Sequence, residues 1–435
     1  MSSAGIWSIL IQFIFFPILG RIYSPEAYGT FSVFNTIVVL LGTVATLAYQ
    51  RALVLPRDET SFRALLRLCI RVTCISCLIF TGISFMFGGW LVEQFNVEKL
   101  GNWVYAVGPV AFLLAIDQIV ATWTVQAKAF RLNTFYTAPI TLGSKLFNVG
   151  YGWLINATAE GLIVTMSLSY VARIVLFPWK VIKNGYQHLT AHVSKDAILA
   201  AKKEYSAYPR YMLWSNLLNN GSNFLPFLLF PIFLFRPDES GYYVYALVVL
   251  DLPIRLIGSG IGPVYFQKSA ELWDTEPERL RVQTWKLYKV LGWGSMLLMV
   301  ILNLTGEWVY TLVFGDQWTI AGAAMSVLVF SYFFRYLSVP VSNLFNVVRK
   351  ERQLLYFQIL LFISRVLSLI IPGLLLGSFM DILWSFTLAN AVCYFILLIW
   401  CFRLIKFPVW KVVSFTLGVF TIGCAVVALI RFGVM

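Results

Sequence analysis

The sequence predicts an all-α integral membrane protein, and three observations support that prediction. Hydrophobic residues make up 59% of the chain, charged residues only 12%, and the mean hydropathy is +0.78. Apolar stretches of about 20 residues, enough for a helix to cross ~30 Å of hydrocarbon, recur along the sequence. Lys and Arg crowd every second gap between these stretches, as the cytoplasmic loops of a multi-pass membrane protein do.

Between 12 and 14 transmembrane helices are expected, and thirteen can be placed. Helices are the default because backbone polar groups must bond internally within lipid. The basic gaps are the even-numbered ones, so they and the N-terminus are expected in the cytoplasm. The first span is short, contains Pro17 and lacks a basic flank, so its orientation follows from its neighbours. The predicted spans are residues 4–19, 30–49, 72–92, 103–124, 134–155, 160–179, 211–235, 241–264, 288–306, 321–341, 354–376, 382–402 and 412–430.

The net charge of +13 follows from this topology and from contact with anionic lipid, so no nucleic-acid partner is expected. The six cysteines lie in or beside apolar spans, and the two histidines share one loop. That distribution predicts no metal site and no bound cofactor.

A short internal repeat predicts two halves. PEAYG at residues 25–29 is echoed by PDESG at 237–241, and each follows an aromatic-Pro-Ile run and a basic residue. Six helices separate the copies, so both halves point the same way, as in transporters whose two bundles enclose a central cavity. The basic connector is expected to contain an amphipathic helix at 197–205. The expected divisions are a six-helix bundle at 1–180, the connector at 181–210, a second six-helix bundle at 211–402 and an additional terminal helix at 403–435.

Five basic residues fall well inside predicted helices. Each costs about 2.5–3.5 kcal/mol at a helix centre, so each needs a compensating environment. If they converge, they form a cationic lumen suited to an anionic cargo, because guanidinium groups match phosphate oxygens. Snorkelling or structural ion pairing is the alternative. The five predicted cargo-binding residues are Lys145, Arg173, Arg255, Arg335 and Arg365.

Two acidic residues share these helices. Asp117 and Asp251 are candidates for proton or sodium coupling, or for counter-ions to lumenal arginines. Asp251 and Arg255 are four residues apart, a spacing that suits a local ion pair. Polar side chains are expected either to line the cavity or to bond between helices. These residues are Gln118, Asn216, Asn220 and Asn223.

Three stretches resemble bacterial polysaccharide translocases, the O-antigen flippase family. They are RIYSPEAYGTFS at residues 21–32, FGDQW at 314–318 and PVSNLF at 340–345. The resemblance implies membership of the multidrug/oligosaccharidyl-lipid/polysaccharide exporter superfamily, with helices in two similar bundles. It also implies alternating-access transport of an undecaprenyl-diphosphate-linked oligosaccharide, an O-antigen repeat unit of lipopolysaccharide or a similar glycan. The direction would be from the cytoplasmic to the periplasmic leaflet of the bacterial inner membrane, with polysaccharide polymerase and chain-length proteins as candidate partners.

Two other functions stay open. A multidrug exporter of the same superfamily is the nearer alternative, although exporters of cationic drugs favour lumenal carboxylates over basic residues. A polysaccharide polymerase or glycosyltransferase is less favoured, because the predicted periplasmic gaps are short and carry few catalytic candidates. The sequence thus favours a transporter over an enzyme.

Overall fold

The computed structural model describes residues 3–56, 58–176, 185–234, 237–348, 350–375 and 377–433. These residues form helices and connecting turns and include no β-strand. The predicted all-α membrane fold is therefore confirmed. Ten helices in this described part are long and apolar enough to cross a membrane, and Leu10–Ile22, part of the first helix, is a shorter apolar stretch.

Each of the thirteen predicted spans overlaps a separate helix. The remaining three helices are short and lie between spans. In chain order the helices are α1 (Ser3–Ile22), α2 (Pro25–Ala45), α3 (Glu59–Gln94), α4 (Val107–Gln126), α5 (Phe130–Leu154), α6 (Ala159–Leu176), α7 (Gly185–Thr190), α8 (Lys195–Glu204), α9 (Leu213–Leu234), α10 (Asp238–Thr275), α11 (Pro277–Phe314), α12 (Thr319–Val341), α13 (Leu344–Val347), α14 (Glu351–Leu375), α15 (Phe379–Leu404) and α16 (Val409–Gly433).

Three helices run well beyond their predicted membrane spans, so these helices continue outside the apolar stretches. Helix α3 has 36 residues, and α10 and α11 have 38 each. At 1.5 Å per residue each is about 55 Å long, far more than the hydrocarbon thickness. Hydropathy marks where a helix leaves lipid, whereas capping decides where it ends. The Asp58 carboxylate caps α3 by accepting from the backbone N–H of Ser61 at 2.8 Å.

The first copy of the repeated turn begins a helix. Ser24 is the N-cap of α2, and its Oγ accepts a hydrogen bond from the backbone N–H of Ala27 at 3.2 Å. Pro25 follows at the first helical position, where its missing N–H is not needed. In the second copy, α10 begins at Asp238, one residue after Pro237. Both copies of the repeat therefore lie at the start of a helix.

The chain divides into two compact units, Met1–Ser240 and Gly241–Met435. Helix α9 belongs to the first unit, where Asn220 Nδ2 donates to Thr43 Oγ1 on α2 at 3.1 Å. Asn96 Nδ2 also donates to the carbonyl oxygen of Pro231 at 3.0 Å. The domain boundaries expected from the sequence at residues 180, 211 and 402 differ from this division and stay predictions.

The core of the first unit lies between α2, α4 and α6. Val38, Ala111 and Ile163 meet there, and all three are fully buried. Helices α3 and α4 approach closely at Gly108, where an added Cβ would lie 2.4 Å from Thr81 Oγ1. Small residues at such crossings are the usual means by which membrane helices pack.

In the second unit, α11 and α12 cross on two glycines. A Cβ added to Gly322 would lie 2.6 Å from the carbonyl oxygen of Gly306. The Trp318 ring, just before α12, is fully buried and stacks on Tyr245 with ring centroids 3.5 Å apart. The Tyr310 hydroxyl donates to the Tyr245 carbonyl oxygen at 2.7 Å. These contacts join α10, α11 and α12.

The connector helix α8 packs on the extension of α3. Its apolar residues Ile198 and Ala201 are buried in a cluster with Leu65 and Trp123. The predicted helix at 197–205 therefore exists, beginning two residues earlier, and part of its apolar face packs against protein. Residues 181–184 of the predicted connector lie outside the described residues.

Candidate functional site

A cavity of about 360 Å³ lies within the first unit, between α1, α2, α5 and α6. Two of the five predicted cargo-binding residues, Lys145 and Arg173, line its wall. We call it the Lys145 cavity. Other polar residues that line the cavity include Gln12, Ser144, Asn148, Thr165, Ser169 and Tyr170.

Helical spacing puts these polar groups on shared faces. On α6, Thr165, Ser169 and Arg173 follow one another at intervals of four residues. On α5, Ser144 and Asn148 are also four apart. Residues at this spacing lie one above the other on a helix. The hydroxyls of Thr165 and Ser169 satisfy their donors within α6, each bonding the carbonyl oxygen four residues earlier, at 2.7 and 2.8 Å. Their lone pairs stay available to a ligand.

Lys145 and Asn148 contribute unsatisfied groups to this wall. Lys145 forms no hydrogen bond or ion pair with the residues that the structure describes. Asn148 is only 6% exposed, and its Oδ1 has no hydrogen-bond partner among them. Its backbone carbonyl is occupied by the Tyr23 hydroxyl at 2.9 Å. A buried polar atom without a partner is rare in folded proteins, so it marks a place for a ligand or water.

The charge of Arg173 is offset by Asp117. The Arg173 Nε lies 2.8 Å from Asp117 Oδ1, which joins α6 to α4. The guanidinium also lies over the ring of Tyr170, 5.4 Å from its centroid. Lys145 is thus the cation of this cavity wall whose charge no described acidic side chain offsets.

In the second unit Asp251 pairs with Arg335. The Arg335 Nη1 lies 3.3 Å from Asp251 Oδ1 and donates to the Tyr332 hydroxyl at 2.7 Å. That hydroxyl donates in turn to Asp251 Oδ1 at 2.9 Å. The expectation that Asp251 pairs locally with Arg255 was wrong, because the partner comes from α12. Arg255 lies exposed on α10.

Arg365 is buried within the second unit, with 4% of its surface exposed. Its Nε donates to Asn390 Oδ1 at 2.8 Å, and its Nη2 donates to the Tyr394 hydroxyl at 3.3 Å. The guanidinium lies 5.7 Å from the centre of the Phe386 ring. These contacts tie α14 to α15. Arg365 is thus bonded to protein, in contrast to Lys145.

Two of the four predicted polar residues, Gln118 on α4 and Asn220 on α9, form hydrogen bonds outside their own helices. Gln118 Oε1 accepts from Gln50 Nε2 at 3.4 Å, and Asn220 bonds Thr43 on α2. Asn216 is buried, whereas Asn223 is exposed and donates to a carbonyl of its own helix at 2.9 Å. Of the predicted charged residues, Lys145, Arg173 and Asp117 lie close together in the first unit. Arg335 and Asp251 lie together in the second unit.

Sequence reasoning missed the tyrosines that accompany two of the arginines. SYVAR at residues 169–173 and SYFFR at 331–335 share the pattern Ser-Tyr-x-x-Arg. In both, the tyrosine ring lies under the guanidinium three residues later, at 5.4 and 4.9 Å. The recurrence of this pattern was the available signal. Asn148 was missed as well, and its spacing from Ser144 and Lys145 was the clue.

Comparison with solved structures gives the class of fold. A structure described as the inward-facing conformation of a multidrug resistance MATE family transporter of the MOP superfamily matches with a TM-score of 0.66 and 13% identity, over 94% of this chain and 96% of the other. A MATE structure in the bent conformation matches with a TM-score of 0.50 and 12% identity, over 95% of each chain. At such identities the likeness concerns the fold alone. The fold is that of MATE transporters.

Comparison with curated protein sequences gives no significant match. A family of polysaccharide biosynthesis proteins matches residues 18–323, more than half of the chain. The chain therefore belongs to that family. This finding and the MOP-superfamily fold confirm the resemblance identified in the sequence.

Proposed function

We propose that this protein translocates an undecaprenyl-diphosphate-linked oligosaccharide from the cytoplasmic to the periplasmic leaflet of a bacterial inner membrane. The observation that supports this most directly is the Lys145 cavity. Among the described residues, Lys145 has no acidic partner and the buried amide oxygen of Asn148 has no hydrogen-bond partner. Membership of a polysaccharide biosynthesis family points to the same cargo.

The cavity wall matches the headgroup of such a lipid chemically. An ammonium group binds phosphate oxygens as a point charge, and the Arg173 guanidinium adds donors beside it. Sugar hydroxyls both donate and accept, so they complement the hydroxyls of Ser144 and Ser169 and the Asn148 amide. The diphosphate would be held near Lys145 and the first sugar near Asn148 and Ser144.

Export of cationic drugs is the alternative, and the structural neighbour with a TM-score of 0.66 carries a multidrug-resistance name of its own. A cationic drug would need a carboxylate free to receive it. Asp117 lies in an ion pair with Arg173, and Asp251 lies in one with Arg335. This arrangement favours counter-ion roles for both acids over roles in drug binding or in proton or sodium coupling.

In the proposed cycle the two bundles rock to expose the site to each side of the membrane in turn. Arg335, Arg365 and Arg255 would meet the anionic headgroup along the path, as the sequence predicts. Polysaccharide polymerase and chain-length proteins would receive the product in the periplasm. No covalent step is assigned to the protein.

Complementation of a flippase-null bacterium tests the proposal. Wild type should restore surface glycan, whereas Lys145→Ala should leave lipid-linked repeat units on the cytoplasmic side at matched membrane expression. Lys145→Arg should retain part of the activity because it keeps the charge. Lys203→Ala, at an exposed position on α8, is the matched control and should behave as wild type. A wild-type protein that fails with several glycans yet lowers drug accumulation would establish the exporter alternative.

A further inference from the structure

A second depression lies between α5 and α6, on the first unit. It encloses about 240 Å³ and is almost entirely apolar. Ile140 and Phe147 of α5 and Leu168 and Ala172 of α6 form its sides. We call it the Gly143 groove, after the glycine that opens it.

Small residues keep this groove open. A Cβ built on Gly143 would meet no atom within 4 Å, so the groove is free space at that point. The larger side chains of Phe147 and Leu168 are 42% and 49% exposed and rise at its rim. An extended apolar chain can therefore lie along the two helices without displacing a side chain.

The Gly143 groove and the Lys145 cavity share a wall. Ile140, Ser144, Thr165 and Ser169 line both, so an apolar compartment adjoins a cationic one. Such a pair of adjoining compartments suits an amphiphile with an anionic head and an apolar tail. Charge complementarity at Lys145 selects the anionic head.

A row of small residues on its own would be explained by helix packing. The adjoining cavity supplies the independent observation that points to a ligand, because Asn148 Oδ1 is buried there without a partner among the described residues. Lys145, two residues from Gly143, has no partner among them either. Polar groups that have no partner in the described part of the chain, next to an apolar groove, form a site for one molecule that is polar at one end.

We infer that the Gly143 groove holds the first isoprene units of the lipid carrier while its diphosphate occupies the Lys145 cavity. This inference rests on the proposed function and adds where the tail binds. A methyl-branched prenyl chain is wider than a straight acyl chain, and the missing side chain at residue 143 provides that width.

Binding to the purified full chain in nanodiscs tests the inference, with a long-chain polyprenyl diphosphate and inorganic pyrophosphate as separate probes. Gly143→Leu places an apolar side chain in the groove and should weaken polyprenyl diphosphate binding by roughly tenfold. It should leave pyrophosphate binding unchanged. Gly150→Leu is the matched control on the same helix, where an added Cβ also meets nothing within 4 Å, and it should change neither. Lys145→Ala should weaken both probes.

The outcomes separate this inference from the proposed function. If Gly143→Leu binds polyprenyl diphosphate like wild type, or if Gly150→Leu loses it equally, the tail does not lie in the groove. Equal competition by phosphatidylglycerol would overturn the prenyl assignment. A wild-type protein that neither binds polyprenyl diphosphate nor restores surface glycan would instead contradict the proposed function. Thermal unfolding of each variant establishes that it is folded, and Gly143→Ala provides a milder filling of the same space.

Discussion

The Nε of Arg173 on α6 lies 2.8 Å from Oδ1 of Asp117 on α4, so two intramembrane charges offset each other within one unit. Arg335 and Asp251 repeat this arrangement in the other unit at 3.3 Å. Two of the five intramembrane basic residues are therefore paired with acids. Lys145 has no such partner in the described part of the chain, and this difference leads to the first predictions.

The ion pair between Asp117 and Arg173 should stabilise the first unit modestly. Polar pairs between membrane helices contribute about 1 kcal/mol, because the unfolded chain in the membrane also finds partners. A double-mutant cycle with Asp117→Asn and Arg173→Gln, read by SDS-induced unfolding in micelles, should give a coupling free energy of that size. A coupling near zero would show that the two charges are stabilised independently.

Replacing Lys145 should reduce transport without reducing stability. Lys145→Met removes a cation that bonds no described side chain, so the free energy of unfolding should stay the same or rise. Arg365→Met should cost about 1–3 kcal/mol, because it leaves Asn390 and Tyr394 without their buried donor. Thermal unfolding in detergent beside the complementation assay measures both. Equal destabilisation by the two variants would contradict this contrast.

The glycine crossing of α11 and α12 should resist substitution. In Gly322→Ala the new Cβ would lie 2.6 Å from the Gly306 carbonyl oxygen and 2.7 Å from the Glu307 Cα, both backbone atoms that cannot rotate away. We expect a loss of roughly 1–3 kcal/mol in unfolding free energy. Gly294→Ala, on α11 with nothing within 4 Å of its added Cβ, should be neutral or stabilising.

The connector should bind α3 less tightly at acidic pH. Arg63 Nε donates to His188 Nδ1 at 3.3 Å, a bond that requires that nitrogen to be unprotonated. Burial, and then the positive charge of Arg63, lower the pKa of His188 below its ordinary value of 6.5, while Glu59 raises it. A released connector therefore binds the proton more readily than a docked one. The stabilisation from His188 is complete above pH 6.5 and is lost as the pH falls through the lower pKa of the docked form.

Hydrogen exchange of residues 185–205 measures this effect. Exchange should be faster at pH 5.5 than at pH 7.5 after correction for the intrinsic rate. His188→Gln should remove most of the difference, whereas His192→Gln, at an exposed position of the same segment, should retain it. Equal protection at both pH values in wild type would show that His188 does not control docking.

The sequence predicted the helical membrane fold and the separate helices because both follow from local hydropathy. It also placed Lys145, Arg173 and Asp117 within spans. It did not predict that Arg173 would take Asp117 as its partner. The spacing of four residues suggested that Asp251 would pair with Arg255, whereas in the structure Asp251 pairs with Arg335. Ion pairs across helices depend on the rotation of each helix about its axis, which core packing decides.

Length, hydropathy and charge asymmetry alone determined that the chain is a multi-pass α-helical membrane protein. Whether a segment crosses the membrane depends mainly on its own length and hydropathy. Sequence likeness placed it among polysaccharide biosynthesis proteins. Only the tertiary structure decided which basic residues have an acidic partner and which have none among the described residues. Arg335 meets Asp251 across 84 residues of chain, and Lys145 faces a cavity built from four helices. Such contacts depend on how the faces of different helices pack together, which the sequence of one helix does not determine.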